Sequence, residues 1–169
     1  MGPMKNYQYL IEDGQVGVAL DAAWEIGKLT KYAKKLGVSL AGGLYTHGHF
    51  DHIGGAMPGQ NSPPAEGVEA LLAYLAASGD GKHQVWLGLG DLEMAGAQTN
   101  LKASDWAKVK DGDVLYPLGN ASTAPQVVVV DSPGHTPGGV SYFLRGSEQE
   151  TLSSHCRAGV LFTGDSVFL

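Results

Sequence analysis

A chain of 169 residues holds one domain with a sizeable core rather than two full ones. Its 43% apolar against 17% charged residues set it apart from disordered chains, and a net charge of −6 excludes a nucleic-acid groove, which needs clustered Lys and Arg. No apolar run reaches the roughly 18 residues that span a bilayer, and the lone Cys156 cannot pair within the chain. A cytoplasmic protein is therefore expected, or an organellar one after loss of a targeting peptide.

Asn6 to Glu12 reads as a strand before the Asp13-Gly14 turn, and Val16 to Leu20 as a second strand ending at Asp21. Ala22 to Leu36 carries Ile26, Leu29, Ala33 and Leu36 at helical spacing, with Gly37 as its stop and the basic positions Lys28 to Lys35 on a solvated face. Leu40 to Tyr45 is a short buried strand. Met57 to Pro64 is a Pro/Gly/Asn/Ser loop suited to the substrate side or a lid. Glu66 to Ala77 is the clearest helix, with Val68, Leu71, Leu72 and Leu75 on one face. Gln84 to Leu89 looks like a strand, and Gly90 to Asn100 favours neither period. Asp111-Gly112-Asp113 turns into Val114 to Tyr116. Val127 to Val130 is a run of valines, expected to be a strand buried on both faces. Val140 to Leu144 and Val160 to Phe162 follow, separated by the polar stretch Gly146 to His155. Strands interrupted by helices point to a layered α/β domain.

Chemistry concentrates in three places. Thr46-His47-Gly48-His49-Phe50-Asp51-His52 sets three imidazoles and a carboxylate in one short loop, followed by Gly54-Gly55. Metal binding is the leading reason to gather such donors. Alternate residues of an extended segment share a face, so His47, His49 and Asp51 converge, with His52 joining if the chain turns. Four donors crowd a single tetrahedral ion; two adjacent metals, or one metal with outer partners, relieve the crowding. His135, in Pro133-Gly134-His135-Thr136, follows the valines, and Asp165, in Thr163-Gly164-Asp165, follows the last strand. Asp21 is expected in a turn or behind a ligand, with the structural role favoured. His83 and His155 are read as surface residues, Cys156 as an inert loop thiol, and Trp24, Trp86 and Trp106 as packing residues.

These motifs resemble the metallo-β-lactamase-fold hydrolases, and within them the glyoxalase II-like (hydroxyacylglutathione hydrolase-like) branch. Thr46 to Gly55 matches the Thr-His-x-His-x-Asp-His-x-Gly-Gly loop, Pro133 to Gly138 the Pro-Gly-His-Thr-x-Gly segment, and Thr163-Gly164-Asp165 the Thr-Gly-Asp. The resemblance implies an αββα sandwich over residues 1–169. It implies that His47, His49 and His135 hold one metal, that Asp51 and His52 hold a second, and that Asp165 bridges both. Zinc is the expected ion, with iron or manganese as substitutes. A metal-activated hydroxide, oriented by the catalytic Asp51, would cleave a thioester, ester or lactone of a small molecule.

The resemblance also implies strands beyond Thr-Gly-Asp that bring a last metal-binding His, whereas this chain stops at Leu169. A C-terminally incomplete domain is therefore expected: a fragment, a chain completed by a partner or a second copy, or a non-catalytic metal-binding remnant. A mononuclear iron persulfide dioxygenase is the alternative enzyme, its implied ligands being His47, His135 and Asp165.

Overall fold

The computed structural model describes residues 4–56, 59, 63–79, 83–145 and 159–167. Most of the loop from Met57, the polar stretch from Gly146, and His155 and Cys156 lie outside the described residues. Strands β1 (Tyr9–Asp13), β2 (Val16–Leu20), β3 (Ser39–Leu44), β4 (Gln84–Gly88) and β5 (Ala107–Val109) form one sheet in that order. Its first pair is an antiparallel hairpin and the remaining pairs are parallel. Strands β6 (Val114–Leu115), β7 (Val127–Asp131), β8 (Val140–Arg145) and β9 (Gly159–Phe162) form a second, wholly antiparallel sheet. Helices α1 (Ile26–Leu36), α2 (Phe50–Ile53), α3 (Gly67–Ser78) and α4 (Leu92–Gln98) complete the described elements. The fold is the expected mixed α/β one. No helix among the described residues is long and apolar enough to cross a membrane.

The alternation of side chains along the strands builds two cores. On one face of the first sheet, Ala19, Val85 and Leu87 meet Ile26, Leu29 and Ala33 of α1, Ile53 of α2, Val68, Leu71 and Leu75 of α3, and Ala95 of α4. On the other face, Val18, Leu20, Leu44 and Trp86 pack against Val127, Val129, Val140 and Tyr142 of the second sheet. Each fully buried Leu or Val contributes roughly 1.5–3 kcal/mol to holding the layers together.

The valine run corrects one expectation. Val127 and Val129 are buried, but Val128 is half-buried and Val130 is 39% exposed. The register aligns Val114, Val128, Phe143 and Leu161 across the outer face of the second sheet. Val114 and Leu161 there are 43% and 50% exposed, and all four described helices bury their apolar faces on the first sheet instead. An unbroken apolar run does not distinguish a strand covered on one side from one covered on both.

Other differences lie at element edges. β1 begins at Tyr9 rather than Asn6, because the Asn6 side chain is engaged with Asp51 and Gln8 with the Trp24 backbone. α1 begins at Ile26, since Asp21 and Glu25 hold left-handed backbone at φ 49° and 52°. Gly37 ends it as expected, in left-handed geometry. The segment after β4 resolves into a single 3₁₀ turn, Leu89–Asp91, running into α4. Trp86 and Trp106 are buried, Trp24 is half-buried, and His83 is half-buried rather than at the surface.

Candidate metal centre

All the candidate donors sit at strand ends on one edge of the two sheets. β3 delivers Thr46 and His47 from the first sheet. Cross-sheet hydrogen bonds fix this edge: Val140 N–H donates to the Thr46 carbonyl at 2.8 Å, and the Tyr142 hydroxyl to the Tyr45 carbonyl at 3.0 Å. β7 leads to His135, and β9 to Asp165 in the 3₁₀ turn Gly164–Ser166. Gly54 and Gly55, at φ 97° and 96°, allow the tight exit from the histidine loop; a Cβ on Gly55 would lie 2.0 Å from the Gln98 carbonyl.

The histidine loop is not extended throughout, as alternation alone would have it. His49 caps α2 in extended geometry, and the N–H groups of His52 and Ile53 both donate to the His49 carbonyl. One helical turn therefore carries Asp51 and His52, which lets two adjacent residues reach the same place.

The structure brings the six candidates together. The His47 ring lies 4.9 Å from that of His49, 4.1 Å from that of His52 and 4.9 Å from that of His135. His49 Nδ1 and His135 Nε2 are 2.9 Å apart. His52 Nε2 lies 3.1 Å from Asp165 Oδ1 and 3.9 Å from Asp51 Oδ2, and His135 Nε2 lies 3.5 Å from Asp165 Oδ2. Two donor groups converge within 4.8 Å: His47 with His49 and His135, and His47 with His52 and Asp165.

Tautomers follow from the hydrogen bonds behind the rings. Asp21 accepts from the Thr46 N–H at 2.7 Å, the Thr46 hydroxyl at 2.8 Å, and His52 Nδ1 at 3.0 Å. With its proton committed to Asp21, the Thr46 hydroxyl accepts from His47 Nδ1 at 3.1 Å. Both imidazoles therefore carry a hydrogen on Nδ1 and turn Nε2 inward. His47 Nε2 is buried with no hydrogen-bond partner among the described residues. An orphaned, buried lone pair aimed at other donors fits a metal ion.

Charge balance agrees. Burial, then the neighbouring His52, pulls the pKa of His47 down to about 4. Burial, then His135, lowers that of His49. At His52 burial works against the cation, but the carboxylates of Asp165 and Asp21 prevail and push it up to about 10. The bond from His52 in turn holds Asp165 below the usual carboxylate range. A proton on His52 offsets the neighbouring carboxylates in the metal-free chain, and a bound cation would take over that role.

Composition and periodicity gave no sign of Asp91. It is wholly buried in the turn before α4, and its carboxylate ties the two histidine loops together. Oδ2 accepts from Gly48 N–H at 2.8 Å and the Thr136 hydroxyl at 2.7 Å, and Oδ1 from Gly138 N–H at 2.7 Å. The backbones meet so closely that a Cβ on Gly88 would stand 1.9 Å from the Gly138 carbonyl. Asp91→Ala is expected to orphan these three donors, at roughly 1–3 kcal/mol each, and to lower metal-free stability by about 3 kcal/mol or more. Denaturant unfolding measures the loss; a change below about 1 kcal/mol would remove Asp91 from this role.

A family model described as Metallo-beta-lactamase superfamily matches residues 8–148. The chain is similar to the probable polyketide biosynthesis zinc-dependent hydrolase BaeB of Bacillus velezensis, at 29% identity over 168 residues, covering 96% of this chain and 56% of that protein. It is also similar to a hydroxyacylglutathione hydrolase of Prochlorococcus marinus, at 31% identity over 132 residues, covering 78% of this chain and 39% of that one. A metallo-beta-lactamase crystal structure from Staphylococcus aureus aligns with TM-score 0.62 and 16% identity over 96% of this chain and 44% of that one, a likeness of fold alone. The chain thus spans about half the length of the curated relatives it matches.

Proposed function

From membership of the metallo-beta-lactamase superfamily, to which this chain belongs, we propose that it forms the ligand-bearing part of a metal-dependent hydrolase acting on a small-molecule thioester or related ester or lactone. The observation that carries this reading is the buried, unpartnered Nε2 of His47 facing His49, His135, His52 and Asp165. His47, His49 and His135 would hold one ion. His52 and Asp51 would hold a second, with Asp165 between them. Zinc fits this nitrogen and carboxylate set, as do iron and manganese. Two relatives named as a zinc-dependent hydrolase and a hydroxyacylglutathione hydrolase support a zinc ion and a glyoxalase II-like thioesterase.

Bound ions of this kind supply Lewis acidity and lower the pKa of water toward about 7. The chain's own residues then have separate tasks. Asp21 and Thr46 lock the imidazole tautomers so that lone pairs face the reacting centre. Asp51, at the edge of the cluster, would orient the attacking water. Asp91 fixes the spacing of the two histidine loops.

The convergent groups favour a dinuclear hydrolase over the mononuclear dioxygenase, whose set of His47, His135 and Asp165 is not one of them. We take residues 1–169 as belonging to one domain, with a cytoplasmic setting and a second copy of the chain as partner. The purified chain is expected to retain one to two transition-metal ions by elemental analysis, and to hydrolyse a generic thioester once loaded. Fewer than one tightly bound ion per chain would sink the proposal. Oxygen uptake with glutathione persulfide in place of thioester cleavage would transfer it to the dioxygenase class.

A further inference from the structure

The N-terminal segment before β1 crosses the centre, and Asn6 reaches the atoms assigned to the second ion. Its Nδ2 donates to Asp51 Oδ2 at 2.7 Å and to the Asp51 carbonyl at 3.3 Å, and stands 2.9 Å from His52 Nε2. His52 Nδ1 is committed to Asp21. The side chain of Asn6 thus borders both atoms assigned to the second ion, Asp51 Oδ2 and His52 Nε2. A Cγ amide turned by 180° exchanges donor for acceptor in the same space. In the metal-free chain the NH₂ end is held by the Asp51 carboxylate, while the protonated His52 directs its Nε2 hydrogen to Asp165 Oδ1. Beside a cation the preference reverses, since carbonyl oxygen is a hard donor and NH₂ is none.

We propose that Asn6 is a ligand of the second cation position: its amide turns over on metal binding and presents Oδ1 to the ion held by Asp51 and His52. The inference rests on the dinuclear reading above and adds a donor to it. Asn6 would add a hard oxygen donor beside Asp51, His52 and Asp165.

Zinc or cobalt(II) alone is titrated into the full chain, with ions per chain read by elemental analysis and cobalt ligation by visible absorption. The parent chain is expected to take up two ions. Asn6→Ala is expected to retain the first ion and to bind the second about tenfold or more weakly. Asn6→Asp, which offers oxygen but no NH₂, is expected to keep both ions. If the amide merely clamps Asp51 by donation, Asn6→Asp would lose the second ion as Asn6→Ala does, and the proposal falls. It also falls if Asn6→Ala binds the second ion unchanged, or if the parent chain takes up only one. Uptake below one ion by the parent overturns the metal centre itself, which separates that failure from this one. Retention of the first ion reports that each variant is folded.

Discussion

Asp21→Asn is expected to bind transition metal roughly 10–100-fold more weakly than the parent chain, with its fold intact. Asparagine tolerates the left-handed backbone at φ 49° and can still accept from the Thr46 N–H with its carbonyl. Its NH₂, however, would stand where Asp21 Oδ2 now receives both the Thr46 hydroxyl and His52 Nδ1. Donor would oppose donor. His52 relieves the conflict by moving its hydrogen to Nε2, which then points an N–H where an ion is to be held. Thr46, losing its acceptor, no longer holds the His47 tautomer through Nδ1. Competition against a chelator of known strength measures the effect, with far-UV circular dichroism to confirm folding. Unchanged affinity in a folded variant would show that the carboxylate does not orient these rings.

His47→Ala is expected to be the most damaging substitution of a ligand, because both convergent groups contain His47. The first ion should be lost and the second bound more weakly, with thioester hydrolysis down by on the order of 10³-fold or more, as the lowering of water's pKa is lost. His49→Ala belongs to one group only and is expected to keep the ion beside His52 and Asp165. Equal losses in the two variants would contradict the shared position of His47. Elemental analysis and initial rates, run side by side, distinguish the outcomes.

The candidate donors are legible in the sequence because each ends an apolar strand in a turn-forming setting, and the three motifs stand in the order a single family uses. Local spacing also located Val16–Leu20, the α3 helix and the Gly37 stop. What escaped depends on contacts remote in the chain. Asp91 is one carboxylate in a glycine-rich turn, and its partners lie 43 to 47 residues away. Asn6 looked like the start of a strand, yet its partners Asp51 and His52 are 45 and 46 residues on. Asp21 was read as a turn residue or a carboxylate behind a ligand. It stands in a left-handed turn that aims it at Thr46 and His52. The three-residue β5 was missed for lack of length.

His47, His49, Asp51 and His52 ride on the first sheet, whereas His135 and Asp165 hang from the second. A cation shared between them would rivet the two halves of the sandwich at the edge where these residues meet. Part of its binding energy would then appear as mechanical cohesion of the layers. Chelation would do more than silence the chemistry: it would unfasten that seam, leaving the apolar interlayer and a few backbone bonds to keep the sheets in register.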